Sequence, residues 1–191
     1  MRRLFSDIML NKDKLASDLE ILPDGMVIML ETSPDKTYED SIALLDFFIE
    51  RKDLGIIISA SRPYMNLIRI YEQNNISLKK IFILDLVSKS QKSEKEADNV
   101  RYIENVSSLT KISLALNDCI EQFEGKKFVF IDSLTTMLIH NDSYVFARFI
   151  HSILTKLRIH EIDCIIISFE TNKADDIKAE IMQLCDKVIK I

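Results

Sequence analysis

The sequence predicts an α/β fold, an open and mostly parallel sheet flanked by helices on both faces. Three observations lead there. Five short apolar runs are nearly continuous and rich in β-branched or aromatic residues, as strands buried on both faces are. Segments with apolar residues at helical spacing lie between them, the alternation that builds βαβ units with right-handed crossovers. The chain of 191 residues, 47% hydrophobic and 29% charged, is long enough for one well-buried core.

Taken in order, residues 1–20 read as an N-terminal helical segment. "MRRLFSDIMLNKDKLASD" carries charges throughout, so it lacks the apolar stretch of a secretory signal. Met26–Leu30 is the first strand, and Tyr38, Ile42, Leu45, Phe48 and Ile49 mark the helix after it. Gly55–Ser59 and Ile81–Leu86 are the next two strands. Residues 88–99, "SKSQKSEKEADN", hold no apolar side chain except Ala97 and read as a solvated, mobile loop. Leu109, Ile112, Leu116, Ile120 and Phe123 mark a second helix, with Gly125 as its stop. Lys127–Ile131 is a strand, and Phe146, Ile150, Ile153 and Leu157 carry a third helical stripe. Ile162–Phe169 is a strand, and Ile177, Ile181 and Leu184 mark a fourth helix. The closing "CDKVIKI" alternates in the manner of an edge strand. No repeat and no second domain interrupts this order, so residues 1–191 form a single domain.

A net charge of −5 argues against a nucleic-acid surface, which needs a local excess of Lys and Arg. Cys119, Cys164 and Cys185 are widely spaced and form no CxxC pair, as expected of reduced cytoplasmic thiols; Cys164 falls within a core strand. No run approaches the roughly 18 apolar residues of a membrane span. His140, His151 and His160 lack the i, i+4 spacing of a helical metal pair and read as surface residues. Arg62 with Lys79 and Lys80 reads as solvated surface, with a small basic patch as the alternative. The broad apolar face of the helix from Asp142 to Leu157 reads as core, with a subunit contact as the alternative.

Two stretches carry chemistry. In "MLETSPDKTYED", residues 29–40, a strand ends at Glu31 and a short polar turn leads to Lys36-Thr37 and a helix. That is the layout of a phosphate-binding loop, in which Lys reaches the outer phosphates and Ser or Thr binds magnesium. Laid on the G-x-x-x-x-G-K-[ST] pattern, however, Leu30 and Asp35 stand where glycines let the backbone curl around phosphate. Asp35 adds a negative charge there, a cost on the order of 1 kcal/mol or more at short range. Taken alone, Ser33, Pro34 and Asp35 read as an ordinary helix start. In "KKFVFIDSLTTMLIHND", residues 126–142, an apolar strand runs into Asp132 and Ser133. A carboxylate at such a strand tip holds magnesium in nucleotide hydrolases, or else simply caps the next turn.

The order of these segments resembles the KaiC-like branch of the RecA-type ATPases, especially its archaeal proteins. "LPDGMVIMLE", "KKIFILDLVS", "VRYIENVSSLTKISLAL", "FVFIDSLTTMLIHNDSYVFARFIHSILTKLR", "IDCIIISFE" and "LCDKVIKI" are similar to successive segments of that family, across about residues 21–191. The resemblance implies a RecA-like sheet with any nucleotide at the carboxyl ends of the strands. It matches Lys36 and Thr37 to the phosphate-loop pair and Asp132 to the magnesium-side Asp. Ser33, Asp35, Lys36, Thr37, Asp132 and Ser133 are then the candidate ATP-binding residues, with Thr37 and Asp132 as candidate magnesium ligands. The departures fall on the chemistry: both loop glycines are absent, and where the family carries a water-activating Glu this chain reads "IIISASRPYM". Ser59, Ala60, Ser61 and Arg62 supply no general base. The expectation is a degenerate phosphate loop on a retained scaffold: a non-catalytic, pseudo-ATPase module in the cytoplasm, without a cofactor, acting through protein partners in regulation or signalling. Self-assembly is a further option for such a module. The alternative is an ATP–magnesium protein with slow residual hydrolysis through Lys36, Thr37 and Asp132. DNA binding is a third and weaker option.

Overall fold

The computed structural model describes residues 19, 23–33, 37–169 and 175–190. Its centre is a seven-stranded, all-parallel sheet of order β4-β3-β2-β5-β6-β1-β7. The strands are β1 (Val27–Thr32), β2 (Leu54–Ser59), β3 (Ile81–Asp85), β4 (Val100–Tyr102), β5 (Lys127–Asp132), β6 (Asp163–Phe169) and β7 (Lys187–Lys190). The helices are α1 (Thr37–Arg51), α2 (Tyr64–Gln73), α3 (Leu109–Gln122), α4 (Leu134–Ile139), α5 (Ser143–Ile159) and α6 (Asp175–Met182). The five strands expected from apolar runs form within a residue or two of their expected bounds, and "CDKVIKI" supplies the edge strand β7. Three elements stand outside the sequence expectation. β4 is three half-buried residues, α4 is six residues long, and α2 buries only Tyr64, Leu67 and Tyr71.

Strand side chains alternate between two cores, as the pleat requires. On one face Val27, Met29, Ile58, Val129, Ile131 and Ile166 meet α3, α4, α5 and α6 through Leu116, Met137, Phe146, Ile150 and Ile181. On the other, Ile28, Leu30, Ile57, Phe130 and Ile165 meet α1 and α2 through Leu44, Phe48 and Leu67. Gly55 is required by a close approach: a Cβ there would lie 2.5 Å from the ring of the fully buried Phe128.

At the amino ends of the strands, Lys52 closes α1 onto the sheet. Its ammonium lies 2.6 Å from the fully buried Asp163 and 2.7 Å from Asp24. Burial lowers the Lys52 pKa, but bonds to both carboxylates outweigh it and leave it raised. Residues 88–99 hold a short 3₁₀ turn, Lys89–Gln91, and Tyr102 Oη exchanges hydrogen bonds with the Lys95 backbone at 2.9 and 2.7 Å.

Candidate functional site

The carboxyl ends of β1, β2, β5 and β6 bring the candidate residues to one end of the sheet. Leu30, Ile167 and Asp132 lie in one register row across β1, β6 and β5, and Ser59 of β2 pairs with Asp132. β1 runs two residues past this row, to Thr32 opposite Phe169, so its tip stands beyond the acidic tip with β6 between them. Asp35 and Lys36 lie outside the described residues.

Ser33 and Thr37 form the start of α1. The Thr37 amide and hydroxyl both donate to Ser33 O, at 3.1 and 2.7 Å. Thr37 is buried, and its hydroxyl closes the first turn of its own helix. Thr32 Oγ1 donates to Asp40 Oδ2 at 2.8 Å, tying the strand tip to the same turn. Beside it the buried Glu31 is held by two ammonium groups: Lys178 of α6, which also donates to Phe169 O at 2.9 Å, and Lys190 of β7 at 2.8 Å. Burial raises the Glu31 pKa, and the two lysines more than reverse it, leaving it lowered.

Asp132 is 4% exposed at the tip of β5. Its counterion is Arg62, whose Nη1 lies 3.4 Å from Oδ2. The turn after β2 sets this up. Ser59 Oγ donates to Arg62 O at 2.7 Å, and the Ala60 amide donates to Asp132 O at 2.6 Å. Pro63 then leads into α2, whose first amide, from Tyr64, donates to Asp85 Oδ2 at 2.6 Å. Asp85 also accepts from the Val87 and Ser88 amides and the Ser88 hydroxyl, so it is saturated by local backbone. Burial pushes the Asp132 carboxyl above its usual range, and Arg62 and the Ser61 hydroxyl hold it down only in part. Asp132 Oδ1 and Ser41 Oγ make no hydrogen bond among the described residues. Both residues border a cavity of about 20 Å³ with Tyr38, Arg62 and Tyr71, room for no more than a water molecule.

Ser133 Oγ accepts from the Thr136 amide at 3.3 Å and caps α4, so its hydroxyl has a structural partner. The sequence expectation for Arg62 is corrected by this geometry. Arg62 sits at the carboxyl end of β2, whereas Lys79 and Lys80 lie at the amino end of the neighbouring β3; the three share no patch. Lys80 instead donates to the carbonyls of Ile49 and Lys52. Arg62, Lys178 and Lys190 are the site residues that sequence spacing does not single out. The turn after β2, Ser59 to Arg62, carries no carboxylate, and Arg62 is its one charged residue.

The Thr37 hydroxyl donates its proton to Ser33 O and keeps its oxygen lone pairs, and the Asp132 carboxylate faces the Arg62 guanidinium. Among the described residues no group of three His, Cys, Asp or Glu could hold a metal, and no helix is long and apolar enough to cross a membrane.

Comparisons with known proteins agree with the architecture. A family model described as a family of unknown function (DUF7090) matches residues 13–191. Among curated proteins none matches the sequence. Of solved structures, the uncharacterized protein PH0321 from Pyrococcus horikoshii, crystallised in complex with an unknown peptide, superposes with a TM-score of 0.70 at 16% identity, covering 93% of this chain and 82% of that one. The flagellar accessory protein FlaH from Methanocaldococcus jannaschii gives 0.59 at 13% identity, over 88% of this chain and 72% of that one. An ATPase from the type III secretion system of pathogenic bacteria gives 0.55 at 13% identity, over 87% of this chain and 51% of that one. At these identities the likeness shows the fold, which is of the RecA-like ATPase type.

Proposed function

We propose that this chain, which belongs to the family of unknown function DUF7090, is a RecA-fold module that has exchanged ATP hydrolysis for protein contacts in regulation or signalling. The observation that supports this most is the Arg62–Asp132 pair. In the KaiC-like branch that the sequence resembles, the β5 aspartate serves a magnesium ion and the turn after β2 supplies the base. Here one arginine in that turn neutralises the aspartate from inside. The proposal reads the Ser33–Thr37 stretch as a phosphate loop reduced to a helix start. A structural neighbour crystallised with a peptide is in keeping with the protein-contact half of the reading.

The test is isothermal titration with magnesium-ATP, with Lys36→Ala as control, alongside an ATP turnover assay. The reading expects no saturable heat at millimolar nucleotide and no turnover. Robust turnover that disappears in Asp132→Ala would overturn it. A second reading, weak ATP binding through Lys36, Thr37 and Asp132, draws on the position of Thr37 at a helix N-terminus, at the same end of the sheet as the acidic tip. It expects saturable heat lost in Lys36→Ala, and a melting temperature that rises with nucleotide concentration.

A further inference from the structure

We propose that the groove between α3 and α5 docks an amphipathic, acidic helix of a partner protein. The inference rests on the protein-contact reading above and names the surface and the chemistry of the contact. α3 and α5 lie side by side on one face of the sheet and bury their inner sides, Ile112 and Leu116 against Phe146 and Ile150. Their outer shoulders stay apart. Leu109 and Ser113 of α3 and Val145, Phe149 and Ser152 of α5 line an open groove of about 380 Å³. Val145 is 53% exposed, and the neighbouring Tyr144 and Leu114 also present large apolar surface to solvent.

Both walls are helices, and residues 145, 149 and 152 follow the i, i+4, i+7 row into which a third helix inserts its side chains. The charge of the groove selects the occupant. The one charged residue lining it is Arg148, which lies 5.8 Å from the Tyr144 ring and has no carboxylate partner among the described residues. No acidic side chain lines the groove, although the chain carries a net charge of −5. A cationic, apolar groove on an acidic protein complements a helix with apolar residues on one side and carboxylates along the flank.

The probe is a fluorescein-labelled model helix of about 15 residues, with leucines at i, i+3, i+4 and i+7 and glutamates on both flanks. A second peptide carries lysines in place of the glutamates. Fluorescence anisotropy with the whole chain should show saturable binding of the glutamate peptide, about tenfold tighter than the lysine peptide. Val145→Asp should abolish it, and Arg148→Glu should invert the preference; both positions are exposed, so the fold tolerates them. Absence of saturation at millimolar peptide, indifference to peptide charge, or binding that survives Val145→Asp would overturn the proposal. A concentration-dependent dimer in sedimentation that Val145→Asp dissolves would also overturn it, by assigning the groove to a second copy. ATP turnover would defeat the pseudo-ATPase reading without touching this result, and a silent nucleotide titration beside a failed peptide titration would defeat this inference alone.

Discussion

Arg62→Ala removes the one cation that pairs, among the described residues, with the nearly buried Asp132, and its effect on stability can be worked from the geometry. At the observed 3.4 Å separation and an effective dielectric of about 20, the attraction is about 5 kcal/mol. The Arg62 side chain is 32% exposed, so solvent screens the pair and reduces the net loss to about 1–3 kcal/mol at neutral pH. For a chain of this length, that lowers the melting temperature by about 2–10 °C. The pH dependence supplies the sharper test. The folded-state pKa of Asp132 is already raised by burial, so the folded protein holds a proton that the unfolded chain releases above its own pKa of about 3.9. Stability therefore falls as pH rises through the window from that value to the raised one. Arg62→Ala raises the folded value further, so the difference between wild type and variant should vanish at the acid end of the window and grow with pH above it. Asp132→Asn in the Arg62→Ala background should recover most of the loss at pH 7. Urea unfolding of the four proteins of this cycle at several pH values reads all of these terms. A loss of equal size at pH 4 and pH 7.5, or an Asn variant that recovers nothing, would show that Arg62 acts through packing and would remove the main support for a self-neutralised magnesium position.

Three further outcomes are expected. Gly55→Ala drives a methyl group into the Phe128 ring and should destabilise by about 1–3 kcal/mol in urea unfolding, with partial recovery in Gly55→Ala/Phe128→Leu. Lys52→Met strips the counterion from the fully buried Asp163 and should cost about 3–5 kcal/mol at pH 7 in urea unfolding. Burial raises the Cys119 thiol to about 11 and the Cys185 thiol to about 12, and raises Cys164 further, so iodoacetamide at pH 8 should label all three slowly in the folded chain and rapidly in urea.

The sheet was legible because its strands are buried on both faces and so appear as uninterrupted apolar runs, as in Ile56–Ile58 or Ile165–Ile167. α2 was not, since three buried side chains among polar neighbours leave no full stripe, and β4 is too short for any period to show. At the candidate site, Asp132 and Ser133 stand at the strand tip that their position after "FVFI" implies. Ser33 and Thr37 meet as the turn chemistry of "TSPDKT" suggests, while Asp35 and Lys36 fall outside the described residues.

The chain's own pattern determines that the sheet is covered on both faces and that the acidic tip ends a buried strand, because burial on both sides shows as an uninterrupted apolar run. Tertiary structure alone decides which charges meet. Arg62 and Asp132 are 70 residues apart and are joined because β5 inserts beside β2. Lys178 reaches Glu31 across 147 residues because α6 returns the chain to the β1 edge, where β7 then adds Lys190. Strand order is set by how the helices pack over the sheet, a long-range property with no period in the sequence, and it is this order that brings these ion pairs together at the carboxyl ends of the strands.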